Sequence, residues 1–220
     1  MTLGELVNIV RLELDDNVVP YLVSDPELIE YAVDAENEAC RRARLLVDAT
    51  TTAICRISVI AGTAVYALDP RVIFVRRVKT ALRPLPLGHV ITRELDGSVA
   101  NWEIQTGNPV AFITDWQTGS IVLYPIPNAN DTASLQVVRL PLADMKAFTD
   151  KPEIHPSYHR SLRCWMKYRF YSKQDAETKN DKLAADNFSM FAAEFGVKPN
   201  ALSQEFDARN QPMDNLDATY

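Results

Sequence analysis

Leu3, Leu6, Val7, Val10 and Leu14 recur at helical spacing behind a Thr2–Glu5 capping box, which predicts a short helix over about 3–14 with one apolar stripe. Asp15-Asp16-Asn17 ends it. Ser24-Asp25-Pro26-Glu27 reads as a second capping box, with proline in the first turn where its missing N–H costs nothing. The helix it opens is predicted to reach about Val47, with Leu28, Ile29, Ala32, Ala35, Ala39, Ala43 and Leu46 on its buried side. The alanines allow another helix to approach closely.

The period shortens at Thr50. Residues 52–59, 64–68 and 72–80 are rich in Val, Ile, Thr, Phe and Tyr and read as strands. Pro84, Pro86 and Gly88 punctuate a hairpin-like connection. Turns at Gly107-Asn108-Pro109, Thr118-Gly119 and Asn128–Asp131 separate strands over Val110–Trp116, Ser120–Tyr124 and Ala133–Leu140. Strands at this spacing predict an antiparallel β-sandwich or small barrel over about 51–141.

Helical spacing resumes near Pro156, with Leu162, Trp165, Met166, Arg169 and Phe170 in one stripe. Asp175 is a candidate cap for a last helix whose Leu183, Phe188, Phe191 and Phe195 face inward, and Gly196 is its expected C-terminal stop. From Val197 no period is sustained, so the end of the chain reads as an extended arm. The expected organisation is a helical domain in two halves (1–50 and 142–196), a β insert (51–141) and an arm (197–220). The fold class is α+β, with four helices, two from each chain end, flanking the insert.

Charge changes this picture. The net charge is −6, but residues 1–37 hold one base against nine acids, whereas 38–83 hold nine bases against three acids. Such asymmetry suits nucleic acid on one face, or the acidic surface of one copy meeting the basic surface of the next in a head-to-tail ring. Nothing approaches 18 consecutive apolar residues, the N-terminus lacks the pattern of a secretory signal, and three cysteines without CxxC spacing suit reduced thiols. A soluble product of a cytosol is expected.

Candidate chemistry is sparse. His155 and His159 share the HxxxH spacing of a zinc site, but no glutamate follows the first histidine, Pro156 breaks the helix there, and no third ligand is apparent. No phosphate-cradling glycine loop or nucleophile motif occurs. No catalytic residue, cofactor or metal is therefore expected. Arg41, Arg42 and Arg44 close a predicted helix, where the dipole welcomes cations, and they also fit a contact with a neighbouring subunit or passing DNA. Trp102, Trp116 and Trp165 read as core, and Cys40 and Cys164 as small packing groups.

The segment YLVSDPELIEYAVDAENEACRRARLL resembles the opening of head-to-tail adaptor (connector) proteins of tailed bacteriophages, with Val23 where a tryptophan is often found. The likeness continues through VYALDPRVIFVRRVK, TGNPVAFITDWQTGSIVLYPIPNANDTASLQVVRLP and EIHPSYHRSLRCWMKYRFYSKQDAET, covering about residues 5–195. The resemblance, which extends to the tail tubular protein A type, implies a four-helix bundle with the inserted β domain. It also implies a non-enzymatic virion protein made in the host bacterial cytoplasm. Such a protein forms a ring, usually of twelve copies, between the portal and a tail or nozzle protein, with a channel for genomic DNA during ejection. The C-terminal arm would then embrace the portal through Phe206, Met213, Leu216 and Tyr220. Arg41, Arg42, Arg44, Arg76 and Arg77 would face a neighbouring subunit or the DNA. Two other readings stay open: a nucleic-acid binder using the 38–83 basic face, and a cell-wall hydrolase, for which no carboxylate pair is evident.

Overall fold

The computed structural model describes residues 1–175 and 178–199. The capping box forms as the pattern predicts. Thr2 Oγ1 accepts the Glu5 N–H at 3.2 Å and Glu5 Oε2 accepts the Thr2 N–H at 2.8 Å, starting α1 (Leu3–Glu13). Gly4 lets the 140–160 segment lie against this helix. Its N–H donates to Phe148 O at 2.9 Å, and a Cβ there would come within 3.1 Å of Phe148 Cβ.

α2 (Asp25–Ala43) starts behind Ser24 and Pro26, but the Ser24 hydroxyl makes no capping bond. Glu27 turns instead to the Tyr31 hydroxyl, at 2.6 Å, and to Lys173, at 2.8 Å. The helix also stops before Val47. Arg44 adopts left-handed φ of 51° with its N–H on Cys40 O, and the chain leaves as strand β1 (Leu46–Asp48). A 3₁₀ turn over Pro156–Ser161 leads into α5 (Leu162–Tyr171). The last helix, α6 (Asp181–Phe195), is capped by Asn180 rather than Asp175, Asn180 Oδ1 accepting the Leu183 N–H at 3.1 Å. It ends at Gly196, φ 81°.

That later start resets its inward face. Ala184, Asn187, Phe191 and Phe195, spaced three, four and four apart, are buried, while Leu183 and Phe188 are more than a third exposed. α1, α2, α5 and α6 all supply one apolar cluster, in which Leu6, Val10, Leu28, Ala35, Leu162, Met166 and Phe191 are sealed from solvent. These helices belong to a unit of residues 1–46 and 140–198.

Residues 47–139 form a second compact unit. Two short helices interrupt what reads as strand or connection: α3 (Thr52–Cys55) and α4 (Thr92–Ser98). The strands are β2 (Arg56–Val59), β3 (Val65–Ala67), β4 (Val72–Thr80), β5 (Gly88–His89), β6 (Thr106–Gly107), β7 (Ala111–Ile113), β8 (Ser120–Tyr124), β9 (Ile126–Pro127) and β10 (Asp131–Arg139). β10 bonds to β1, β2 and β4; a second sheet runs β3-β8-β7-β5; β6 and β9 pair separately. Pairing is mostly antiparallel, but β5–β7 and β6–β9 are parallel, against the all-antiparallel expectation. Among the described residues none of the sheets closes into a barrel. Val59, Val75, Val78, Leu135 and Val137 of the first sheet share a core with Tyr66, Phe112, Ile121 and Leu123 of the second. Among the described residues the class is thus α+β, with six helices and several open sheets.

Each unit buries charge. In the second, Arg139 Nε donates to Asp48 Oδ2 at 2.7 Å, and Asp48 also accepts the Thr50 and Thr51 backbone N–H groups and the Thr51 hydroxyl. Burial pushes this carboxyl up, but those donors together hold it far below the usual carboxylate range. In the first unit, Glu36 is 2% exposed and its Oε1 accepts the N–H groups of Glu153, at 2.5 Å, and Ile154, at 3.2 Å. Burial raises this carboxyl to about 7 despite those two bonds, with the charges of Glu153 and Asp144 adding to the rise.

The sign follows from linkage. Between the ordinary 4.5 and about 7 the folded chain holds a proton that the unfolded chain has lost, so Glu36 erodes stability as pH rises through that window. Glu36→Gln keeps the acceptor oxygen and loses the proton linkage. Urea unfolding at pH 5 and pH 8 should show the variant gaining about 2.5 kcal/mol relative to wild type between the two. Parallel profiles would show that Glu36 titrates normally. Asp48→Ala should cost about 3–5 kcal/mol at neutral pH by removing the buried carboxylate that Arg139 donates to, read by the same method.

Candidate functional site: a basic sheet face and an apolar loop

The acids of residues 1–37 are largely engaged within their own unit. Arg11, buried inside α1, donates to Asp16 at 2.7 Å, Asp25 at 2.6 Å and Val23 O at 2.9 Å, and its guanidinium lies 3.8 Å from the centre of the Tyr21 ring. Glu13 pairs with Lys167, at 2.7 Å, and with Arg163; Asp34 pairs with Arg169 and accepts Trp165 Nε1–H at 2.9 Å. Partial burial pushes Glu13 and Glu27 up, but their lysine partners hold both below the ordinary value. Of the nine acids, Glu5, Asp15 and Glu30 are exposed and make no ion pair among the described residues. Glu13, Glu27 and Asp34 are thus matched by cations of α5 and the turn after it, and Asp16 and Asp25 by Arg11, so the acidic surface is smaller than the count along the chain.

The arginine cluster divides. Arg41 is partly exposed, 3.6 Å from Glu38. Arg42 has a side chain only 4% exposed. It donates to Glu38 at 2.9 Å and to Gly196 O at 3.2 Å, and sits 5.1–5.4 Å from the ring centres of Trp165, Phe188 and Phe191. It is an interior fastening of α2 to α5 and α6. Arg44 is half-buried at the left-handed turn.

Arg76 and Arg77 lie on β4 and are exposed. Arg77 stands opposite Gln136 and Lys79 opposite Ser134, while Val75 and Val78 face the core. Two core positions three residues apart are incompatible with strict alternation. A bulge between Gln136 and Val137 reconciles them by leaving Arg76 as the extra residue of β4. Arg56 of β2 also stands opposite Ser134, so Arg56, Ser134 and Lys79 form one row across three strands. Arg56, Arg76, Arg77 and Lys79 are exposed and make no ion pair among the described residues. Sequence reasoning singled out Arg76 and Arg77 but not Arg56 or Lys79, because their shared face depends on strand pairing.

A second feature escaped sequence reasoning. Val18, Val19, Tyr21 and Leu22, between α1 and α2, are exposed, as are Leu12 on α1 and Leu183 and Met190 on α6. The signal was present as an apolar run between Asn17 and Ser24 with no polar alternation.

The histidines serve local structure. His155 Nδ1 accepts the Ser157 N–H at the start of the 3₁₀ turn, and His159 Nε2 lies 2.8 Å from Ile154 O in the interior. Among the described residues, no three His, Cys, Asp or Glu side chains gather as metal ligands would. Trp102 and Trp165 are buried, but Trp116 is 48% exposed, its ring edge-on to Trp102, so the core reading fails for it. Phe206, Met213, Leu216 and Tyr220 lie outside the described residues. Among the described residues no helix is long and apolar enough to cross a membrane.

A family model described as SU10 adaptor protein matches residues 1–214. A search of curated proteins returned no match.

The geometry separates neighbouring arginines. Arg42→Ala should destabilise the chain by about 3 kcal/mol or more by leaving Glu38 buried without its closest cation. Arg41→Ala should stay within about 0.5 kcal/mol. Thermal and urea unfolding of both variants checks this, and equal losses would contradict the buried assignment.

Proposed function

Since the chain belongs to the SU10 adaptor protein family, we propose that it assembles as the ring that joins portal to tail, closing the filled head and leaving a channel for the genome. The family is one of structural phage adaptors of the virion, not of enzymes. The observation that carries this reading is the adaptor-family match over residues 1–214 of 220. In the reading, twelve copies close the ring, and each pairs a four-helix bundle with an inserted β-sandwich.

A closed ring needs heterologous contacts, in which two different patches of one copy meet. Two non-equivalent sets of exposed apolar side chains on the helical unit, Leu12, Val18, Val19, Tyr21 and Leu22 on one hand and Leu183 and Met190 on the other, suit such a contact. Arg41, Arg44, Arg76 and Arg77 are assigned to subunit or DNA contacts. Residues 197–220, with Phe206, Met213, Leu216 and Tyr220 as sparse apolar anchors, are assigned to the portal.

Mass measurement of the 24.7 kDa chain alone and with its portal tests the ring: a portal-bound assembly with many copies is expected. A single copy per complex would overturn it. Deleting residues 198–220 should leave a cooperatively folded protein that no longer attaches to portal. Retained attachment would exclude the arm as the main anchor.

A further inference from the structure

We propose that the outward face of the β10-centred sheet binds the phosphate backbone of duplex DNA, without reading its sequence. The inference deepens the channel reading above, and rests on it for where the DNA comes from.

Four features of the face carry it. First, it holds Arg56, Arg76, Arg77 and Lys79, all exposed, with no ion pair among the described residues. Other exposed cations without an ion pair among the described residues, such as Arg93 and Arg160, stand singly along the chain, whereas these four are gathered on paired strands of one sheet, so positive potential is concentrated on this face. Second, the positions between the cations are Ser58, Thr132, Ser134 and Gln136, placed on the same face by the pairing Ser58–Thr132, Arg56–Ser134–Lys79 and Gln136–Arg77. Hydroxyl and amide groups donate to phosphate oxygens as cations do.

Third, none of the exposed large apolar side chains lies within β2, β4 or β10, the strands that carry the face; Val47 stands on β1, and Ile60 and Leu82 fall beyond the strand ends. A tight contact with an acidic protein would be expected to bury an apolar or aromatic anchor at its centre, whereas backbone contacts to DNA need none. Fourth, the face is several strands wide: Arg56 and Lys79 are two strand spacings apart, about 10 Å, and Arg77 and Lys79 about 7 Å along one strand. The major groove admits a helix or a two-stranded ribbon, so a broader sheet face meets phosphates rather than base edges. The bulge has a role here too, because it places Arg76 beside Arg77 on the solvent side while Val75 and Val78 stay in the core.

The test is fluorescence anisotropy of the full chain with a labelled random-sequence duplex, titrated across salt. Wild type should bind at low salt, with log K falling against log salt at a slope of about −3 to −4, as four phosphate contacts require. Replacing Arg56, Arg76, Arg77 and Lys79 together by Gln should weaken low-salt binding by about ten-fold or more and flatten the slope by about three. Because phosphate reads charge, R56K/R76K/R77K should retain most of the affinity; it also serves if the Gln variant does not fold, as judged by its melting temperature. No binding of wild type at low salt, or unchanged affinity in a folded Gln variant, would overturn the proposal. So would a Gln variant that keeps DNA affinity but loses attachment to copies of the chain, because the face would then serve an acidic protein surface. Portal attachment of the same variant reads the adaptor role separately: loss of DNA binding with portal attachment intact supports the face, and loss of portal attachment with DNA binding intact points at the adaptor reading.

Discussion

The helical unit depends on the seam between α2 and α5, which are more than a hundred residues apart in the chain. Ala32, Ala35 and Ala39 present so little side chain that α5 can bring Leu162, Trp165 and Met166 into the space they leave. Along the rim of that seam each carboxylate has a partner of its own. Asp34 takes the Trp165 indole N–H and Arg169, Glu27 takes Lys173, and Glu38 takes Arg42 beneath the aromatic rings of α5 and α6. Apolar burial supplies the driving force, while the matched charges set which residue faces which. Arg11 does the same for the start of the chain, tying α1 to the first turn of α2 through Asp16, Val23 O and Asp25.

Much of the helical unit was legible in the sequence because its signals are local. The Thr2–Glu5 box, the apolar period behind it and the Gly196 stop each need only their neighbours. The failures have non-local causes. Ser24 looks like a capping residue, yet Glu27 is drawn away by Tyr31 and Lys173. Val47 continues a helical stripe on paper, but it belongs to a strand that β10 holds. Asp175 and Asn180 are equivalent caps by composition, and the burial of Ala184, Asn187, Phe191 and Phe195 decides between them.

The surface was less legible than the core. Counted along the chain, residues 1–37 and 38–83 look like opposed charged surfaces. In space, five of the nine acids are paired, two with Arg11 and three with cations of α5 and the region after it, and Arg42 disappears beneath Phe188 and Phe191. What survives as a basic surface is smaller, because strand register gathers only Arg56 and Lys79 of the remaining bases with the two arginines of β4. Charge counts along a sequence become physical only after pairing removes the matched ions.

The division of the chain also bears on how it is made. Residues 47–139 are continuous, whereas the helical unit is split between 1–46 and 140–198. During synthesis the β unit is therefore complete while α1 and α2 still lack α5 and α6 against which to bury their alanine-lined flank. The nascent helical half must wait on the ribosome for its other half, with apolar surface open to chaperones over the whole interval.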